Sequence, residues 1–190
     1  MKILTVAVAL FVATFCSPAV NAETFFGIEL GAPLSIRDCT PDDYPPRQQS
    51  LCIKHTPEDD LPWGQTKTEA SLPMSAQFPW GPFHVFVSVF NGNVVEVEAI
   101  TNGQGWQEQA LADLTKKFGK PKSIKKTPLQ NRMGAQFIGI SAEWKLKAIA
   151  VKFRGVDGEL DKGLIAVRTE TAGAMDKAKA DWYPANGPKL

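Results

Sequence analysis

The chain of 190 residues is poor in the side chains that carry most enzymatic chemistry. It has two histidines, three cysteines and two tyrosines. His55 and His84 are too far apart in sequence for the short ligand spacing of a zinc motif. Charge of one sign is also missing: 21 Lys and Arg face 20 Asp and Glu, for a formal net charge of +1. Without a basic field, nothing supports binding of nucleic acid or of an anionic membrane. Past the first 22 residues no apolar run is long enough to span a bilayer. No set of side chains points to a metal or a cofactor, and none is expected.

The first 22 residues do have a clear character. Lys2 supplies a positive end, Ile3 to Phe15 is apolar, and Ser17 to Ala22 offers small residues for cleavage. This is the pattern of a secretory signal and is too short for a stable anchor. The expected product is exported, periplasmic or secreted, and begins near Glu23. Loss of Lys2 would leave it neutral. Cys16 would be discarded with the signal, leaving Cys39 and Cys52. In an oxidising compartment such a pair reads as a disulfide. It would pin the loop between them, which contains Tyr44 and is rich in proline and charge.

Residues 83–100 form the strongest structural signal. Phe83 to Phe90 and Val94 to Ile100 are strand-like runs separated by Asn91-Gly92-Asn93. Asn-Gly ordinarily makes a two-residue hairpin loop. That loop would set Val87 against Glu96 on the buried face. A three-residue loop instead pairs Val89 with Val95, Val87 with Val97 and Val85 with Ala99. One face is then wholly apolar, and the burial pattern favours this register. Gly92 or Asn93 would take the left-handed conformation.

A helix over about 104–118 follows, with Ala110, Leu111, Leu114 and Phe118 on one stripe and a stop at Gly119-Lys120-Pro121. The valine face of the hairpin is the natural place for that stripe. Further strands are expected over Gln136–Ile140, on either side of a turn or bulge near Lys147, and over Leu164–Thr169. Thr66–Ser71 alternates weakly, as an edge strand would. Thr127–Gly134 reads as a loop, and Thr171–Ala180 as a modest helix before a mobile end. The expected fold is a single α+β domain over 23–170, with roughly five to seven antiparallel strands and one main helix on one face. Residues 171–190 form a tail.

The opening Phe25-Phe26-Gly27-Ile28-Glu29-Leu30-Gly31-Ala32-Pro33-Leu34, followed by Cys39, resembles that of a loose group of small exported proteobacterial proteins. Lys117-Phe118-Gly119-Lys120-Pro121, Ala142-x-Trp144 and Gly163 extend the likeness over most of the chain after residue 22. The group has no assigned activity, so the resemblance implies export and no site residue. The Leu-Gly and Gly-Lys-Pro phrasing is also similar to outer-membrane assembly lipoproteins. However, Ala13-Thr14-Phe15 before Cys16 is not a lipid-attachment approach.

Motifs for catalysis fail on context. Gly139-Ile140-Ser141-Ala142-Glu143 lacks the last glycine of a nucleophile elbow, and Ser123-Ile124-Lys125-Lys126 lies in a strand-like run. Gly103-Gln104-Gly105 follows a hairpin strand rather than a parallel one, so a helix start explains it better than a phosphate site. Asp157, Glu159 and Asp161 could approach a calcium ion but lack the full ligand loop. Leu61-Pro62-Trp63-Gly64 is echoed by Phe78-Pro79-Trp80-Gly81. Trp63 and Trp80, with Tyr44, are therefore the candidate binding residues, since tryptophan is enriched at binding hot spots. Packing of both tryptophans at the core edge is the competing account.

Two functions remain. One is a non-enzymatic binding or accessory protein of inhibitor, immunity-like or envelope-assembly type, acting on a protein or envelope partner. The other is a carboxylate-dependent envelope hydrolase drawing on Glu96, Glu98, Asp157 or Glu159. An enzyme should gather these acids in a concave pocket; a binder should show an apolar patch near Trp63, Trp80 or the disulfide loop.

Overall fold

The computed structural model describes residues 23–43, 50–73, 75, 78–82, 84–131 and 133–186. The expected signal, Tyr44, Phe83 and the last four residues lie outside this set. The hairpin consists of β6 (His84–Phe90) and β7 (Asn93–Thr101). Val85 pairs with Ala99, Val87 with Val97 and Ser88 with Glu96, the register that burial of the valines demands. The loop, however, has two residues: Asn91 and Gly92, at φ +51° and +78°, turn the chain between Phe90 and Asn93. Val89 pairs with Val94, and the register shifts between Ser88 and Val89. Val95 is the residue left over. The expected three-residue loop and Val89–Val95 pair are thus corrected. Turn chemistry sets the loop, burial sets the register, and a β-bulge absorbs the one-residue conflict.

Around this hairpin lies a nine-stranded antiparallel sheet, more than the five to seven strands expected. On one side are β5 (Gln65–Ser71), then the short β3 (Cys52–Lys54) and β4 (Asp60–Leu61). On the other side come β11 (Gly163–Thr169), β10 (Ile149–Arg154), β9 (Gln136–Lys145) and β8 (Ser123–Gln130), in that order. β5 is therefore an inner strand rather than an edge. β8 begins in the strand-like run at residues 123–126 and extends to Gln130, through part of the stretch expected to be a loop. Pro128 hides its second half, and lysine and proline are both residues that outer strands accept. The phase change near Lys147 is a turn, with Leu146 N–H donating to Ile149 O at 2.9 Å. A small hairpin, β1 (Thr24–Phe25) and β2 (Ile28–Glu29), precedes the sheet.

The two ends of the sheet are closed differently. Pro128 removes a donor from β8. Strand β3 is covered by residues 37–39: Ile53 N–H donates to Arg37 O at 2.9 Å, and Cys39 N–H to Ile53 O at 2.8 Å. The Cys39–Cys52 disulfide fixes that cover in place. Closing a loop of this length stabilises the fold by about 3 kcal/mol in the chain-entropy account.

One sheet face carries the main core: Val85, Val87, Val97, Val151, Phe153 and Ile165 are all buried. Helix α1 (Gln107–Phe118), entered through a 3-10 turn at Gly103–Trp106, lays Ala110 and Leu114 on it. Gly103 is required there. It sits at φ +63°, and a Cβ would lie 2.3 Å from Leu160 O. The first residue of the helix is also a clamp. Gln107 is buried, its Nε2 donating to Ile138 O at 2.6 Å and its Oε1 accepting from Ile140 N–H at 2.8 Å. Its amide continues the ladder where β10 ends.

The opposite face is covered in part by α2 (Ala172–Asn186). Ala172 and Met175 pack on bulged Val95, with Phe90 alongside. The helix runs past Ala180, where the sequence suggested an end. Trp182 and Tyr183 dock on Trp63, at ring separations of 5.6 and 5.7 Å. Among the described residues no helix is long and apolar enough to cross a membrane.

Gln107→Ala should cost about 2 kcal/mol or more in urea unfolding, because it strands a buried donor and a buried acceptor of β9. A loss below about 0.5 kcal/mol would show that water replaces the amide and that the clamp is incidental.

Candidate functional site

Two concavities deserve comparison, one on each sheet face. The polar one, of about 560 Å³, crosses β7 to β8. Glu96 and Glu98 do converge here, facing Lys125, Glu143, Lys152 and Arg168. Each is held by a cation. Glu98 Oε2 is 2.5 Å from Lys67 Nζ, and Glu96 Oε1 is 2.9 Å from Arg168 Nε. The Arg168 Nε–H is not aligned for a hydrogen bond, so the second contact is an ion pair only. Arg168 Nη2 instead donates to both oxygens of Asp176, each at 2.8 Å, tying α2 to the sheet.

Burial, followed by the neighbouring Glu98 charge, pushes the Glu96 carboxyl above its ordinary range, against the pull of Arg168 and Lys67. Burial also opposes the charge of Arg168, but the Asp176 hydrogen bond and the surrounding carboxylates outweigh it and raise its pKa.

The other ionisable candidates are elsewhere. Asp157 pairs with Arg154 at 3.1 Å and Glu159 with Lys162 at 2.9 Å, so neither acid reaches the groove. His84 Nδ1 lies 2.8 Å from Glu69 Oε1, its ring over Phe86, while His55 is 3.7 Å from Asp59. No imidazole joins the paired carboxylates. Among the described residues no group of three or more His, Cys, Asp or Glu could hold a metal ion.

The apolar concavity, of about 750 Å³, lies between the β1–β2 hairpin and the C-terminal half of α1. Phe26, Leu51, Phe78 and Trp80 line it, with Lys116 and Lys117 among the residues of its wall. Trp80 is buried, its Nε1–H donating to Asp113 Oδ2 at 2.8 Å. Phe78 stacks on it at 4.8 Å and is 45 % exposed. Phe26 packs on Phe25 at 4.2 Å and approaches Phe78 at 6.2 Å.

The turn that carries Phe26 is unusual. Phe26 and Gly27 stand at φ +54° and +80°, nearly the values of Asn91 and Gly92. Such a two-residue turn favours Asn-Gly, and the chain uses Asn-Gly in its main hairpin. A bulky aromatic in left-handed backbone costs about 1–3 kcal/mol and is commonest at ligand clamps and other functional positions.

The two echoed tryptophans have separated. Trp80 is the floor of the apolar groove. Trp63 lies under α2, with its Nε1–H on Gln65 Oε1 at 2.8 Å and Lys179 over its ring. Sequence reasoning missed Phe26 and Phe78. The available signal was Phe-Gly at a turn where Asn-Gly belongs. Comparison of the chain with protein-family models, with curated proteins and with solved structures finds no match to any of them. No functional residue is carried over from a relative.

Because its folded pKa is raised, Glu96 favours the fold fully below its ordinary value near 4.5, and that contribution is lost as pH rises through the raised value. Urea unfolding of the parent and of Glu96→Gln should therefore diverge, the parent losing stability relative to the variant as pH climbs from about 4 towards neutrality. Parallel profiles would mean that Arg168 and Lys67 cancel the effect of burial.

Proposed function

We propose that this chain is an exported, non-catalytic binding or accessory protein, periplasmic or secreted, that grips an apolar group of an envelope or protein partner in the aromatic groove beside Trp80. The observation that carries this reading is Phe26. Phe26, a residue that its own turn disfavours, places its ring in the lining of the groove beside Phe78 and the buried Trp80. An inhibitor, an immunity-like protein and an assembly factor would all use such a surface. Trp63 belongs to the packing of α2 and contributes no contact in this reading.

The competing reading is an envelope hydrolase. Glu96 and Glu98 do share a groove, and burial shifts Glu96 in the direction a general acid requires. Yet each acid already faces a cation, Lys67 beside Glu98 and Arg168 beside Glu96. That arrangement suits a sheet face laced with ion pairs, and the groove offers no imidazole to share a proton.

Phe26→Asn separates binding from packing, because asparagine suits the turn. In urea unfolding the variant should be as stable as the parent or more stable by up to about 1 kcal/mol. It should also bind an apolar fluorescent dye about tenfold more weakly. Trp63→Ala should leave dye affinity unchanged while lowering stability. If Phe26→Asn destabilises the protein and keeps its dye affinity, Phe26 is only packing and the proposal fails.

A further inference from the structure

We infer that the occupant of the aromatic groove is a single-chain anionic amphiphile, an acyl chain ending in a carboxylate or phosphate; this rests on the groove being the binding surface. The size is suitable: about 750 Å³ is within the range of small-molecule sites. The wall chemistry selects against a peptide. An extended peptide must find hydrogen-bond partners for its backbone. Here the backbone of Phe78 is committed to Gly81 in both directions, at 3.0 Å each, and Phe25 is paired with Ile28. The only polar side chains among the described lining residues are Asp113, Lys116 and Lys117.

Asp113 is already engaged. Its Oδ2 accepts from Trp80, and its Oδ1 accepts from Gln109 Nε2 at 3.2 Å. Lys116 and Lys117 form no ion pair with any described carboxylate. They stand together in the last turn of α1, and Lys117 Nζ lies 5.5 Å from the Phe118 ring centroid. An apolar trough bordered by two ammonium groups that no described carboxylate pairs fits a molecule with a long apolar body and one negative end. Such a ligand asks nothing of the committed backbone.

Titration of the oxidised protein with dodecanoate and with dodecanol, each below its aggregation concentration at pH 8, tests the assignment by calorimetry. Dodecanoate should bind about fivefold more tightly, the scale of a partly exposed charge pair. Lys116→Gln/Lys117→Gln should abolish that preference and leave dodecanol affinity unchanged. Dodecyl phosphate, run in parallel, distinguishes the two head groups, and either one bound in preference to the alcohol supports the inference. Equal binding of acid, phosphate and alcohol would overturn the anionic head. Failure of all three while the apolar dye still binds would overturn the amphiphile and leave the groove standing. Displacement of that dye by an apolar peptide alone would transfer the site to a protein ligand. Loss of dye binding itself would remove both proposals.

Discussion

The constraint on which the molecule depends is the conflict inside its central hairpin. Asn91-Gly92 dictates a two-residue turn, while the valines of β6 and β7 dictate a register that such a turn alone cannot provide. The extra residue, Val95, resolves both demands and adds a third outcome. It leaves Val94 in the main core and places Val95 under α2 on the other face. One bulge thus lets a single hairpin serve two packed layers. The α1 layer shares the core that holds Val87 and Val97; the α2 layer rests on Val95. Both concavities border these layers, one beneath each face of the sheet.

Much of this architecture was legible in the sequence, for identifiable reasons. The valine alternation, the stripe Ala110, Leu114 and the stop at Gly119 are short-range signals that tertiary contacts reinforced. What stayed hidden was long-range. The second half of strand β8 is concealed by Pro128 and its polar neighbours, because an outer strand need not look like an inner one. The full length of α2 depends on Trp63, more than a hundred positions away, receiving Trp182 and Tyr183. Gln107 reads as a polar residue on the outer side of a helix, yet it is buried because β9 lacks a neighbour there. The bulge could not be seen while turn and register were treated as rival answers.

The candidate site was only half visible. Trp80 was a candidate binding residue with packing at the core edge as the competing account; its ring is buried, and the accessible ring beside it is Phe78. Trp63, its apparent twin, went to the opposite face, because the two Pro-Trp-Gly turns hang from different strands. Glu96 and Glu98, two residues apart on β7, share a sheet face as strand periodicity requires, whereas their cations come from β5 and β11 and could not be inferred. Phe26 carries the clearest local anomaly, readable only once the same backbone geometry is seen filled by asparagine elsewhere in the chain.

The closure of the sheet's two ends has a consequence for how the protein meets other molecules. A ladder that ends in a proline-bearing strand on one side, and under a cross-linked segment on the other, resists templating by a further polypeptide. Main-chain annealing, the route to fibrils and to many swapped or augmented assemblies, is thereby discouraged. In the binding role proposed above, recognition would fall to side chains, and therefore to shape and charge in a groove such as the one lined by Phe78 and Trp80.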